Sequence, residues 1–349
     1  MTVFDDTALD DATALAGVDA IVRRLAEAGA RVRRETADAV EPLERLRGLP
    51  RPRAVIAAGP EARFIRAMLE PVCPVPFVAW PRHGLPGWVG ALDLVVVMAS
   101  DGAPPGVVAT VHEAVRRGAL LLVACPESSV VAEHAGGSST ILLPTATADP
   151  LAAAVVALAA LHRMDLGPAV VPDDVAATMD AVAQDCSPWA GLTENPAKDL
   201  ALCLADTQPL VWGGSVLAAR ASRRVAEALR AASGRAALAA DADALLPIIG
   251  ATRERDPFAD PFTDPAAADR RPCLVLLDDG TSDPLVRADH GRLVAAAERA
   301  DVRVSVVQHR SGSEVERYAA LLQTGMFAAV YLSVGLGRGT SEAGQDRRV

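Results

Sequence analysis

Two short turns carry the residues of this sequence that could grip an anion. Trp212-Gly213-Gly214-Ser215 closes an apolar run and opens a helical one. Paired glycines permit close backbone approach, and Ser215 can cap the helix or hydrogen-bond a phosphate. Ser100-Asp101-Gly102, ahead of Ala103-Pro104-Pro105-Gly106, ends another apolar run. A phosphate cradle wants several hydroxyls and free amides at a helix N-terminus, and here one hydroxyl stands beside an acid and two prolines. The stretch reads as a tight Asp-Gly turn before a Pro-started helix, with Ser100 and Gly102 as candidate ligand contacts. Gly213, Gly214 and Ser215 are the other candidates.

The remaining chemistry is sparse. Ala58-Gly59-Pro60-Glu61 has one glycine and no G-x-G-x-x-G pattern, a proline with no N–H and an acid that repels anions, so no dinucleotide cofactor is expected. Asp241 and Asp243 follow a weak strand and are the candidate proton-transfer carboxylates; the competing reading is a turn and a helix N-cap. Glu194 and Lys198 flank a helix start at i and i+4 and read as a helix-end pair. The six histidines are scattered, with no H-x-x-x-H, so no metal is expected. The sequence has neither a G-x-S-x-G elbow nor a P-loop.

Short β-rich runs at 54–58, 75–80, 94–99, 119–124 and 140–143 are almost continuously apolar, the pattern of strands covered on both faces. Helical stretches at 105–117 and 127–135 alternate with them, which implies a parallel, doubly wound sheet. An amphipathic helix is expected at 15–28 and an irregular approach at 35–52. The stretch 151–164 is apolar on nearly all sides and must be buried, most simply between two domains or subunits. The pattern then restarts: helices at 173–184 and 196–205, with Asn195 as N-cap and Pro196 in the first turn. Strands follow at 209–212, 235–239, 273–277 and 302–307, with helices at 216–232, 289–300 and 313–333. The fold class is therefore α/β, two tandem doubly wound parallel-sheet domains. The expected division is an N-terminal helical segment (1–40), a first domain (41–150), connecting helices (151–185), a second domain (186–335) and a flexible tail (336–349). The stretch 251–272, rich in Asp, Pro and Phe, has too little aliphatic surface for an element of its own.

Composition narrows the partners. With 34 basic and 44 acidic residues the net charge is −10, against a nucleic-acid partner, which needs clustered Lys and Arg. The longest uninterrupted apolar run, 151–161, is well short of the ~18 residues that span a bilayer, so no membrane is expected. Asp5, Asp6, Asp10 and Asp11 leave no basic n-region for a secretory leader. Five cysteines without a Cys-x-x-Cys pair suit reduced thiols, and the expected location is cytoplasmic.

In order along the chain stand several anchors: the stretch 76–88 with Leu85-Pro86 ahead of the run 94–100; Asn195-Pro196-Ala197-Lys198; Trp212-Gly213 with Arg223 and Arg224 downstream; and a closing stretch ending Val330-Tyr331-Leu332. On these, residues 40 to 335 resemble the bifunctional phosphoglucose/phosphomannose isomerase family, which has tandem sugar-isomerase (SIS) domains, and its divergent TobH-like actinobacterial branch. The resemblance implies a homodimer and a sugar-phosphate or related small-molecule ligand. It also implies an aldose–ketose isomerisation in which a carboxylate moves a proton between C2 and C1.

The chain departs from that family where the chemistry sits. The family's first loop, Gly-Met-Gly-Gly-Ser, aligns with Ala57-Ala58-Gly59-Pro60-Glu61. Its phosphate loop, Ser-x-Ser-Gly-Asn-Thr-Glu-Glu-Thr, aligns with 100–108, where only Ser100 survives. Its base, a Glu in Asn-Glu-Asn, falls near Arg230-Ala231-Ala232, and its ring-opening His falls on Leu245-Leu246-Pro247. Its C-terminal lysine is replaced by the stretch 337–349. Loss of a general acid or base costs ~10²–10⁴ in rate. The expectation is a catalytically silent or regulatory SIS relative that binds a sugar phosphate. The alternatives are an active isomerase with a relocated site, and a structural dimeric subunit.

Overall fold

The computed structural model describes residues 4–59, 61–100, 105–252 and 270–339, and it contains two parallel sheets flanked by helices. The chain opens with a 3-10 turn (Thr7–Leu9) and three helices, α1 (Ala12–Ala16), α2 (Asp19–Ala26) and α3 (Ala28–Asp38). One helix was expected at 15–28. The first starts earlier because Asp11 accepts hydrogen bonds from the Thr13 and Ala14 amides at 3.2 and 3.1 Å. The supposedly irregular stretch 35–52 is helical through α3 and α4 (Val40–Glu44). Tertiary bonds explain this. The fully buried Glu35 carboxylate accepts from the backbone amides of Ala146 (3.1 Å) and Thr147 (2.8 Å) and from the Thr147 hydroxyl.

Residues 28–177 form one compact unit. Its elements continue as β1 (Val55–Ala58), α5 (Ala62–Leu69), β2 (Phe77–Trp80), β3 (Leu94–Met98) and α6 (Pro105–Arg116). They end with β4 (Leu120–Cys125), α7 (Val130–His134), β5 (Thr140–Pro144) and α8 (Pro150–Arg163). The strand order is β2-β1-β3-β4-β5, all parallel. Every residue of β1 and β3 is buried, as their unbroken apolar runs require. The apolar helix α8 is covered inside this unit, against α3, α5, β3 and β4. One face of α6 also straps down the preceding loop: Thr110 Oγ1 accepts from the Gly84 amide (3.1 Å) and Glu113 from the Leu85 amide (3.0 Å).

The second compact unit joins residues 1–27 to 178–349, the division falling within α9 (Pro172–Asp185). It holds α10 (Pro196–Cys203), β6 (Gln208–Gly213), α11 (Val216–Ser233), β7 (Leu238–Ala239) and α12 (Ala242–Gly250). After these come β8 (Pro272–Asp278), α13 (Pro284–Arg299), β9 (Arg303–Gln308) and α14 (Glu314–Gly335). The order β7-β6-β8-β9 repeats the first winding with one strand fewer. Helix α12 was anticipated only as a cap; it forms because Leu245 and Ile249, four apart, bury against the sheet. Helix α13 begins five residues before the expected start, where Asp283 caps the Leu285 amide at 2.8 Å and Pro284 occupies the first turn. At the amino edge of this sheet, arginines cap helix ends: Arg303 donates to the Cys203 carbonyl (3.1 Å) and Arg271 to those of Ala300 (2.9 Å) and Asp301 (2.8 Å). Helix α14 starts with a Ser313–Glu316 capping box and packs on α10, α11 and α2. Among the described residues it alone is long and apolar enough to cross a membrane, and 78% of its most apolar window is buried in the protein. The expected mobile stretch falls largely on 253–269, outside the described residues, as do 340–349.

Candidate functional site

Each sheet reverses its strand order once, between β1 and β3 in the first and between β6 and β8 in the second. Doubly wound sheets bind ligands outside the carboxyl ends of the strands at that point. In the first unit the crevice is bounded by Gly59 and Ser100. Gly59 has φ +96°, and a Cβ there would lie 2.9 Å from the Met98 carbonyl oxygen, so close passage beside β3 accounts for this glycine. Ser100 is buried just past β3. Gly102 lies outside the described residues.

The second crevice is more fully built. Gly213 is the last residue of β6, and a Cβ on it would run into the Ala218 backbone; one on Gly214 would run into Val286 and the Trp212 ring. Both glycines therefore serve strand-to-helix packing. Ser215 accepts a hydrogen bond from the Ala218 amide at 3.0 Å, capping α11, and donates its hydroxyl proton to Asp279 Oδ2. Asp279 is only 8% exposed, and its other oxygen accepts from the Thr281 amide at 3.2 Å. Beside it, Asp278 accepts two bonds from Arg310, from Nε at 3.1 Å and Nη2 at 2.6 Å, and one from the Gly280 amide at 2.8 Å. Burial pushes the Asp278 carboxyl upward, but Arg310 and Gly280 outweigh it and hold the group below its ordinary value. His290 completes the cluster, its ring centroid 6.1 Å from that of Trp212. The arrangement offers carboxylates to hydroxyl donors, and a fixed negative charge where a phosphate was anticipated.

Asp278, Asp279 and His290 were not among the sequence candidates. For the two acids the signal is the run Leu277-Asp278-Asp279-Gly280-Thr281, acids and a hydroxyl directly after an apolar strand; His290 lies outside it, on α13. Asp241 and Asp243 do not join them. Asp241 caps α12 through the Ala244 amide (3.0 Å), and Asp243 makes a surface ion pair with Arg292 (2.9 Å). Glu194 and Lys198 do not pair. Lys198 is fully buried and binds Asp10 (2.6 Å), while Asn195 caps α10 through the Ala197 and Lys198 amides, both at 3.0 Å.

Among the described residues no three His, Cys, Asp or Glu side chains are grouped to hold a metal. All five cysteines are free, and burial pushes Cys186 and Cys273 up to about 12, which leaves them protonated at neutral pH.

Residues 193–343 match the family of the bacterial phospho-glucose isomerase C-terminal SIS domain. A proposed phosphosugar isomerase of Silicibacter pomeroyi superposes with a TM-score of 0.59 at 15% identity, over 91% of this chain and 98% of its own. The C-terminal domain of glucosamine-fructose-6-phosphate aminotransferase from Francisella tularensis gives 0.58 at 11% identity, over 90% and 95%. A glucose-6-phosphate isomerase-like protein of Thermus thermophilus gives 0.50 at 18% identity, over 85% and 87%. No curated protein matches the chain in sequence. The fold is thus of the SIS type, two parallel-sheet α/β domains like those of the phosphosugar isomerases.

Proposed function

We propose that this chain is a sugar-phosphate-binding SIS protein that has lost aldose–ketose isomerase chemistry and works through binding. The observation that carries this reading concerns the two positions where the resemblance calls for a base and a ring-opening acid. Near the first, Arg230 is tied to the Ala237 carbonyl at 2.7 Å; at the second, Leu245 is fully buried in the core. Neither can exchange a proton with a substrate at C1, C2 or the ring oxygen. Binding is assigned to the carboxyl-edge crevices: Ser100 and Gly102 in the first unit for the phosphate, and in the second the turn Gly213, Gly214 and Ser215, whose neighbours Asp278 and Asp279 would accept from sugar hydroxyls rather than meet the phosphate. The proposed setting is a cytoplasmic homodimer, with no nucleic-acid, membrane or cofactor partner.

The test is a thermal-shift series with glucose 6-phosphate, mannose 6-phosphate and fructose 6-phosphate, run beside an isomerase assay. A ligand at 100 times its Kd adds ~2.7 kcal/mol. A rise in Tm without turnover is the expected result, and no rise with any of the three sinks the reading. Turnover above a no-enzyme blank would favour the second reading, an active isomerase with relocated groups. The observation in favour of that reading is the Asp278, Asp279 and His290 cluster at the switch point, ahead of Asp241 and Asp243. A structural dimeric subunit is the outcome if neither binding nor turnover is found.

A further inference from the structure

The loop after β2 is laid across the head of α6. Trp80 ends β2, Pro81 has no N–H for a ladder bond, and Gly84, with φ +73°, turns the chain. Thr110 takes the Gly84 amide and donates its own hydroxyl proton to the Gly106 carbonyl at 2.9 Å. Glu113 holds the next amide, that of Leu85. These bonds set the exposed His83 imidazole against Gly106, the second residue of α6. A Cβ at position 106 would run into that ring, so the imidazole fills the space of the missing side chain.

Other donors stand at the same point. A helix leaves its first amides without acceptors of its own, and because Pro105 has no N–H, those of α6 are Gly106 and Val107. Trp80 packs on the apolar cluster that contains Val107, and its Nε1 is buried with no acceptor among the described residues. Ser100, 4% exposed and just past β3, makes no side-chain hydrogen bond among the described residues. Buried donors are rarely left unpaired, and several of them around one helix head call for an occupant rich in acceptors.

The charges agree. Arg82, exposed, precedes His83 on the loop. The acid on α6, Glu113, is engaged by the Leu85 amide, by Arg117 and, at 3.6 Å, by Arg116. Glu61 heads α5 and Glu127 follows β4; both belong to neighbouring loops, and neither lies on α6 or on the loop that crosses it. Asp101 lies outside the described residues. An anion small enough to sit on the helix head meets donors there.

Resting on the sugar-phosphate reading above, we propose that His83 is a ligand-binding residue of the first crevice. Its imidazole donates to the phosphate that the Gly106 and Val107 amides receive. A side chain brought in from the loop after β2 thus replaces the hydroxyls that the stretch 100–108 lacks, and Gly106 is small to let it approach.

The experiment is isothermal titration of glucose 6-phosphate, mannose 6-phosphate, fructose 6-phosphate and inorganic phosphate into wild type, His83→Ala, Gly106→Ala and the double variant. Circular dichroism checks folding, and both substitutions leave the buried core untouched. His83→Ala should weaken binding about tenfold, as loss of a hydrogen bond to a charged group does. Gly106→Ala pushes the ring off the helix head and should weaken it comparably. Adding it to His83→Ala should cost little more, because the displaced ring is already gone. In wild type, the His83 imidazole signals in long-range ¹H–¹⁵N spectra, identified by their absence from His83→Ala, should shift with the same probes, which a structural role would not produce. Unchanged affinity in His83→Ala, or imidazole signals that stay in place at saturation, overturns this assignment and leaves the sugar-phosphate reading standing. No binding of any probe by wild type overturns both.

Discussion

Ser215 gives its hydroxyl proton to Asp279 at the point where the second sheet reverses its strand order, and takes the Ala218 amide in return. The hydroxyl that was the best sequence candidate for holding a phosphate is already engaged on both sides. Ser215→Ala removes a helix cap and strips a buried carboxylate of a donor, so it should cost about 1–3 kcal/mol. Asp279→Asn keeps an acceptor oxygen and should cost less. Urea midpoints for the two variants decide the order, and the reverse order would show that the cap, not the pair, matters little.

The glycines of that turn are predicted to be irreplaceable for a packing reason. Gly213→Ala drives a methyl into the Ala218 backbone, which cannot rotate away, and should lower stability by more than about 3 kcal/mol or prevent folding. Gly250, at the end of α12, has open space where its Cβ would go. Gly250→Ala should be neutral or gain up to about 1 kcal/mol. Thermal denaturation of the pair checks the contrast.

Lys198 and Asp10 form an ion pair with unequal ends: the lysine is fully buried, whereas the Asp10 side chain is 58% exposed. Lys198→Met leaves the Pro188 and Ala190 carbonyls without their donor, and should cost about 2–4 kcal/mol. Asp10→Asn loses a solvent-screened charge and should cost under about 1 kcal/mol. Similar losses in the two urea titrations would contradict this division.

Acid should erase what Arg310 contributes. Asp278 is held below its ordinary value in the folded state, so the linked stability is present above the unfolded pKa and is lost as pH falls through the folded one. Arg310→Gln removes its main partner. The stability gap between wild type and this variant should shrink from about pH 5 to about pH 2, as followed by urea midpoints. The gap itself will be small, since the Arg310 side chain is 63% exposed. A gap that holds constant with pH would assign the effect to packing.

The strands were readable because burial on both faces writes an unbroken apolar run, as in Leu94–Met98 and 273–277. Caps were readable too: Asn195 and Ser215 accept the amides that their residue types anticipate. What escaped depends on partners far away in sequence. Nothing local marks Glu35 as the residue that keeps α3 helical, because its hydrogen-bond donors lie at Ala146 and Thr147. The apolar surface of α8 reports burial without saying against what. Asp279 reads as an ordinary turn acid until strand order sets it opposite Ser215.

The second unit is discontinuous in sequence, and this orders events on the ribosome. Asp10 waits for Lys198, and the Leu25 carbonyl waits for Gln323, 298 positions later. At ~5–20 residues per second, the latter interval is roughly 15–60 s of synthesis. Residues 28–177 can complete their sheet within that time, while the Thr7–Leu9 turn and α2 still lack α14, the helix they pack on. The last helix is therefore also the step that retires the exposed N-terminus, and slowed translation there should lengthen chaperone engagement of the nascent chain.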